Sequence, residues 1–566
     1  MTKQYPRPQF KRQEWTSLNG PWEFLFDDED RGVLLGYQRK FPSARTIEVP
    51  FAYETKRSGI HCTDQHDIVW YKREFSLTDV SKRTLLHFGA VDYRAEVYVN
   101  GLHAGTHEGG HTSFSLDITD FVKSDNTLVV RVHDDMTDLD NPRGKQYWKV
   151  VPEGIYYTKT TGIWQTVWLE QVPMEYLSQV LITTDIDLKT VSFACIAHTK
   201  QPRTLHITFP QFSELNTSFE LSSKGKYQVD FSNVKEFEKL LWSPQRPILI
   251  DVSFTFGDDQ VRSYFGFRKV SIGEDNQVLL NNKPYFMRLV LDQGYYPDSL
   301  LTSPDDDALL NDVLLAKQMG FNGVRKHQKI EEERYLYYAD KHGLLVWGEL
   351  PSAYSFNDTS RSKLKRELKE MILRDYSHPA LVVWVPINES WGVPDLKHDP
   401  AQVAFLNELY HFTKKLDPTR LVVSNDGWEH AITDLFTIHD YESNYNVLKK
   451  RYNDMANLLA SKPGHRPLWN KGYHYNNQPV LVTEFGGISY QTNGQQGWGY
   501  SNAQNNEDFR RRLAAVIKPL YESPFVQGFC YTQFTDVEQE INGLLTFDRK
   551  PKIDLSIIQT LIKNHQ

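Results

Sequence analysis

Cysteine is nearly missing. Cys62, Cys195 and Cys530 are the three in 566 residues, odd in number, widely scattered and without metal-ligand spacing. That excludes a disulfide framework and a cysteine metal site, and it suits small core side chains in a reducing compartment. Long apolar runs are lacking as well: no stretch approaches the ~18 residues of a membrane helix. The opening Met-Thr-Lys-Gln-Tyr-Pro-Arg-Pro starts no apolar run of signal-peptide length. The expectation is a cytoplasmic protein with no membrane partner. There is no excess of positive charge, since 64 Lys and Arg stand against 72 Asp and Glu for a net charge of −8. This argues against nucleic acid as a partner. Short internal repeats and low-complexity segments are also absent.

What is present is an ordinary globular composition, 40% hydrophobic and 24% charged. The length is too great for one core and implies two to four domains. Aromatics reach 13%, with 13 Trp and 30 Tyr, side chains that stack on sugar faces and also build large β cores. Residues 1–172 alternate apolar and polar in short runs such as Ile68-Val-Trp-Tyr-Lys-Arg-Glu-Phe75, with Asn100-Gly101 as a type I′ hairpin turn. A β-sandwich of jelly-roll type is expected there. Residues 173–268 continue in short strands of immunoglobulin-like size. From 269 to 566 strands alternate with helices, and eight strands can be counted, which predicts a TIM barrel. Its first helix is expected to begin on an N-cap Ser303 with Pro304 at N1 and to bury Leu309, Leu310, Val313, Leu314 and Ala316.

Two carboxylates stand out in that segment. Glu389 ends the run Leu381-Val-Val-Trp-Val-Pro-Ile-Asn388-Glu389, and Glu484 ends Val480-Leu-Val-Thr-Glu484. Strand ends of a β/α barrel converge on one face, where the fold builds its active sites. Two Glu residues facing each other there can cleave a glycosidic bond, one protonating the leaving oxygen and the other attacking the anomeric carbon or activating water. Either alone reads as a solvated or ion-paired surface carboxylate.

The chain resembles glycoside hydrolase family 2, the group of β-galactosidases, β-glucuronidases and β-mannosidases. The resemblance rests on Leu18-Asn-Gly-Pro-Trp22, Trp70-Tyr-Lys-Arg-Glu-Phe75, His107-Glu-Gly-Gly-His-Thr112 and Thr161-Gly-Ile-Trp-Gln-Thr-Val-Trp168 in the first segment. It continues through Leu241-Trp-Ser-Pro244, Gly320-Phe-Asn-Gly-Val-Arg325, Asn388-Glu389-Ser-Trp391, Thr483-Glu484-Phe-Gly486 and Phe547-Asp-Arg-Lys-Pro-Lys552. It implies a retaining glycosidase with Glu389 as general acid/base and Glu484 as nucleophile. It also implies Asn388 on the sugar 2-hydroxyl, Arg325 against the nucleophile, Tyr441 beside it, and Trp391 with Tyr531 as an aromatic floor. His439 and His327 are further candidates for the sugar site, with a satisfied structural histidine as the plainer reading of each. No metal or organic cofactor is implied, the partner is a carbohydrate, and relatives of this kind are often homo-oligomers.

Departures from the family pattern bear on the sugar. Asp292-Gln293 replaces a His-Glu pair found in several relatives, leaving Asp292 to offer a carboxylate to sugar hydroxyls. The Asn-x-Lys pair that reads the uronate carboxylate in β-glucuronidases is replaced by Glu540-Ile541-Asn542. A β-galactosidase is therefore the first expectation, with β-galacturonidase, β-glucuronidase, β-mannosidase and α-L-arabinosidase as alternatives. A transglycosylase and a catalytically silent carbohydrate-binding protein on the same scaffold are further readings. Lys326 and Lys329 are expected as solvated charges flanking the mouth, and Asn141–Gln146 as a solvated sandwich loop.

Overall fold

The computed structural model describes residues 4–492, 494 and 497–563. In the first segment the alternating runs pair into two antiparallel sheets. One is ordered Trp15–Ser17, Val167–Val172, Arg83–Phe88, Phe114–Asp117, and the other is built of six strands around Ile68–Ser76 and Asp125–His133. Their inward residues, among them Trp22, Phe24, Tyr71, Phe88 and Val130, form one core. Asn100 and Gly101 link Arg94–Val99 to Leu102–Glu108 with φ of 52° and 81°, the left-handed pair that a type I′ turn requires. A second sandwich sets a three-stranded sheet (Tyr176–Asp185, Thr190–His198, Lys224–Asp230) against a four-stranded one. Phenylalanine fills it: Phe193, Phe209, Phe231, Phe254 and Phe265 share one cluster. Cys195 lies in this core and Cys530 in the barrel core, neither in a disulfide.

The barrel strands are β1 (Met287–Asp292), β2 (Gly323–Lys326), β3 (Leu345–Glu349), β4 (Leu381–Val385), β5 (Leu421–Val422), β6 (Phe436–Asp440), β7 (Val480–Gly486) and β8 (Val526–Thr532). Parallel ladders run unbroken in the order β5-β4-β3-β2-β1-β8-β7-β6. The remaining seam between β5 and β6 is closed differently. Asp434 donates its N–H to the Val422 carbonyl at 3.0 Å, and its carboxylate accepts the Val422 N–H at 2.8 Å. All eight strands are buried on both faces along almost their whole length, as strands enclosed by helices must be. The helix Asp358–Asp375 starts from a reciprocal cap between Asn357 and Ser360. Among the described residues no helix is long and apolar enough to cross a membrane.

Several local expectations need correction. The first barrel helix, Asp306–Gln318, is capped by Asp305, whose carboxylate accepts the Ala308 N–H at 2.9 Å, rather than by Ser303. A carboxylate is an equally good cap and adds favourable charge at the helix start. Leu314 is exposed on that helix, while Leu309, Val313 and Ala316 are buried. The segment Asn141–Gln146 is buried against the barrel instead of being solvated. The N–H groups of Arg143 and Gly144 both donate to the Ser352 carbonyl at 3.1 Å, and the Tyr354 hydroxyl donates to the Gly144 carbonyl at 2.7 Å. Gly144 has φ of 61°, and a Cβ there would stand 2.3 Å from the Gln328 carbonyl oxygen. The sandwich thus sends one loop onto the C-terminal face of the barrel.

Candidate active site

Glu484 lies within β7, and Glu389 follows β4 on a short turn. Both Glu389 (φ 50°) and Ser390 (φ 61°) are left-handed, uncommon for residues with a Cβ and typical of strained functional positions. Their surroundings fix this turn. Glu389 N–H donates to the Asp426 carbonyl at 3.0 Å, Ser390 N–H to Asn425 Oδ1 at 2.8 Å, and Ser390 Oγ to Glu429 Oε2 at 2.6 Å.

Arg325, fully buried on β2, is the hub. Its guanidinium donates to Glu484 Oε1 at 2.9 Å, to Asn388 Oδ1 at 2.6 Å and to Glu349 Oε2 at 2.8 Å, and its Nε lies 3.0 Å from Asp426 Oδ2. Tyr441 donates its hydroxyl to the other Glu484 oxygen at 2.6 Å. His439 bridges the pair: Nδ1 is 2.7 Å from Glu389 Oε1, and Nε2 is 3.6 Å from Glu484 Oε1. A carboxylate oxygen from each Glu and a ring nitrogen of His439 all lie within 4.8 Å of one another. That spacing would also suit a cation, but both Glu484 oxygens already have protein donors.

The two carboxylates are driven apart in acidity. Burial opposes the charge on Glu484, yet His439, Arg325 and the Tyr441 hydroxyl outweigh it and hold its pKa below the usual carboxylate range. Burial and the neighbouring Glu484 charge raise Glu389. His439 resists protonation through burial, but Glu484 and Asp426 lift it to about 10. Asp426 is held ionised, despite its burial, by Arg325 and His439. Two cations (Arg325, His439) thus face two anions (Glu484, Asp426), and a protonated Glu389 leaves the cluster neutral. Burial lifts Glu349 to about 7.

Of the residues expected at the site, Glu389, Glu484, Asn388, Arg325, Tyr441 and His439 form this single connected cluster. Asn388 spends its Oδ1 on Arg325 and keeps a buried Nδ2 without a partner among the described residues. His327 stands beside it, with Nε2 3.6 Å from Glu484 Oε1. Trp391 is half-buried, its ring centroid 5.7 Å from Tyr354 and 6.2 Å from Tyr156. Tyr531 is different: at 0% exposure it is packed beneath Phe485 and Gly486 and has no surface to offer a sugar. Asp292 is likewise engaged, accepting from Lys326 Nζ at 2.8 Å. Lys326 and Lys329 are buried, not solvated, and both pair with Glu331, at 2.7 and 2.9 Å.

Sequence reasoning missed Asp426, Glu349, Tyr500 and the sandwich aromatic Tyr156. Glu349 carries the same signal as the catalytic pair, a carboxylate closing an apolar strand. Tyr500 stacks on Tyr441 at 3.4 Å between centroids, and nothing in its local sequence marks it.

Comparison with known proteins bears on the same residues. The description "Glycosyl hydrolases family 2, TIM barrel domain" matches residues 271–566, and "Glycosyl hydrolases family 2, sugar binding domain" matches residues 15–173. A putative β-glucuronidase of Formosa agariphila is 28% identical over 74% of this chain and 50% of its own length. A β-galactosidase of Thermoanaerobacter pseudethanolicus is 26% identical over 79% of this chain and 61% of its own. The chain therefore spans only about half to three fifths of these relatives. The solved structure of a β-glucuronidase from an uncultured Clostridium superposes with a TM-score of 0.78 at 22% identity, covering 100% of both chains.

Proposed function

The chain belongs to glycosyl hydrolase family 2, and from that premise we infer that it is a retaining β-glycosidase removing a terminal sugar by double displacement. The observation carrying this reading is the Glu389–Glu484 pair, the first raised and the second lowered in pKa by its surroundings, with an oxygen of each inside one 4.8 Å cluster. Retaining enzymes set their carboxyl groups about 5–5.5 Å apart, whereas inverting ones leave roughly 6.5–9.5 Å for a water. The separation here suits direct attack.

In the first step Glu484 attacks the anomeric carbon while the Glu389 proton passes to the departing glycosidic oxygen. Esterification removes the charge on Glu484, which together with burial had raised the Glu389 pKa. Glu389, now an anion beside His439, takes a proton from water as the water oxygen displaces Glu484. The unpartnered Nδ2 of Asn388 donates to the 2-hydroxyl, a bond that strengthens as positive charge grows on the ring. Glu484→Gln should lower kcat on a nitrophenyl glycoside by about 10³-fold or more. NMR of the first-formed sugar should find the β anomer, and an α product would sink the retaining reading.

The relatives' names divide between β-glucuronidase and β-galactosidase. The β-galactosidase expected from sequence is thus not favoured over a β-glucuronidase. A panel of nitrophenyl β-galactoside, β-glucuronide, β-galacturonide, β-mannoside and α-L-arabinosides separates these and the silent-scaffold alternative.

A further inference from the structure

The end of the barrel remote from Glu389 and Glu484 gathers cations that the reaction does not use. Arg288 stands near the start of β1, and Asn322 directly precedes β2. Lys317 lies in the last turn of the helix Asp306–Gln318, and Lys563 ends the helix Leu555–Lys563. Together with Gln245 these side chains line a cavity of about 330 Å³. Among the described residues no carboxylate lines it.

The two lysines alone would be ordinary. A cation in the last turn of a helix offsets the helix dipole, and Lys317 Nζ donates to the Pro244 carbonyl at 3.0 Å and the Gly343 carbonyl at 2.6 Å. Arg288 has no such reason to be there. It sits on a strand at 9% exposure, and its buried Nε has no hydrogen-bond partner among the described residues. The neighbour of its guanidinium is the hydroxyl of Tyr521, which carries no charge to balance it. Asn322 has nothing left to offer: its Oδ1 accepts the Arg288 backbone N–H at 2.8 Å, and its Nδ2 donates to the Phe286 carbonyl at 2.9 Å.

A buried guanidinium without a counter-charge is unfavourable. Burial and the nearby Lys563 charge disfavour the Lys317 ammonium as well. The adjoining cavity, of about 600 Å³, shares Gln245 and is lined by Lys189, Lys239, Arg246 and Lys283 against the single carboxylate of Glu238 among the described residues. This end of the barrel is thus locally positive in a chain whose net charge is −8. We propose that the cavity around Arg288 is an anion site, taking a ligand that carries a phosphate or a carboxylate group. Arg288 donates its planar fork to two oxygens of the anion, and Lys317 and Lys563 supply further charge. A fork matches two oxygens at fixed spacing, so a compact oxyanion is bound in preference to chloride. Occupation ties β1 to the ends of two barrel helices. Its effect is therefore on stability, since the chemistry happens at the opposite end of the strands.

The test is a thermal melt of the full chain titrated with inorganic phosphate, with succinate and with sodium chloride at matched ionic strength. Phosphate or succinate should raise the melting temperature along a saturating curve, and the one that saturates at the lower concentration identifies the group. Chloride should give only a shallow rise without saturation. Arg288→Gln should increase the half-saturating concentration by about tenfold or more. Lys563→Gln, on an exposed helix end, should increase it by about threefold. Neither variant should change turnover of a nitrophenyl glycoside. If Arg288→Gln does not fold, Arg288→Lys takes its place, keeping the charge and losing the fork. Phosphate and succinate curves that match chloride overturn the proposal. So does an unmoved half-saturating concentration in whichever variant melts like the wild type in chloride.

Discussion

Tyr441 donates to one oxygen of Glu484 and Arg325 to the other, so the nucleophile is anchored at both ends before any sugar arrives. Tyr441→Phe removes one of these bonds. It should raise the pH at which activity disappears on the acid side and reduce kcat by about 10–10²-fold, read from a pH–rate profile. The wild-type profile should be a bell. Glu484 is needed as an anion and has a lowered pKa, so activity is lost as pH falls through that value. Glu389 is needed as an acid and has a raised pKa, so activity is lost as pH rises through it. His439→Gln takes away the cation beside Glu389 and should shift the basic limb upward, because the Glu484 charge, no longer offset by His439, then opposes ionisation of the acid more strongly. A basic limb that stays put in that variant would contradict the charge balance drawn for the cluster. At this scale the sequence was legible where a motif carries the residue, as for Asn388-Glu389 and Glu484. It was illegible where a partner lies far along the chain. Lys326 is paired by Asp292, 34 positions earlier, and no local pattern distinguishes such a lysine from a solvated one.

The turn after β4 and the loop after β5 support each other. Asn388 and Asp426 form a parallel bridge, and Gly427 (φ 106°) passes so close to His439 that a Cβ would stand 2.6 Å from its Nδ1. Gly427→Ala should therefore destabilise the protein by about 1–3 kcal/mol, from backbone strain alone. Displacement of the imidazole should also lower kcat more than it raises KM. A thermal melt and a Michaelis curve on the same preparation check both. Elements themselves were readable from periodicity: all eight barrel strands and the helices Pro400–Leu416 and Asn506–Tyr521 lie where apolar spacing and capping residues indicate. Boundaries were not, where two cap residues compete as Ser303 and Asp305 do. Tyr531 shows another limit. Alternation along β8 does not say which aromatic faces the cleft and which the layer beneath.

Across the whole molecule the sandwich and the barrel are joined by buried polar contacts as well as apolar ones. Glu367, on the helix Asp358–Asp375, accepts from the Tyr93 hydroxyl of the first sandwich at 3.0 Å, and burial raises its pKa to about 8. A carboxyl whose folded pKa lies above its unfolded value of 4.5 binds its proton more tightly when folded. Its contribution is complete below about pH 4.5 and is lost as pH rises through about 8. Glu54 and Glu333, each raised to about 7, act in the same direction. Melting temperature should thus fall between about pH 4.5 and 8, and Glu367→Gln should flatten part of that slope. The loop Asn141–Gln146 was read from sequence as solvated because the groups that bury it, Ser352, Tyr354 and Glu540, lie some 200 to 400 positions away. That same loop sets the order of events in synthesis. Lys145 and Tyr157 leave the ribosome long before Glu389, Glu484 and Glu540, so the barrel closes against a sandwich already synthesised. In unfolding the order reverses in meaning: a small separation of sandwich from barrel should silence the enzyme while both retain their secondary structure, and loss of turnover on heating should precede loss of circular dichroism.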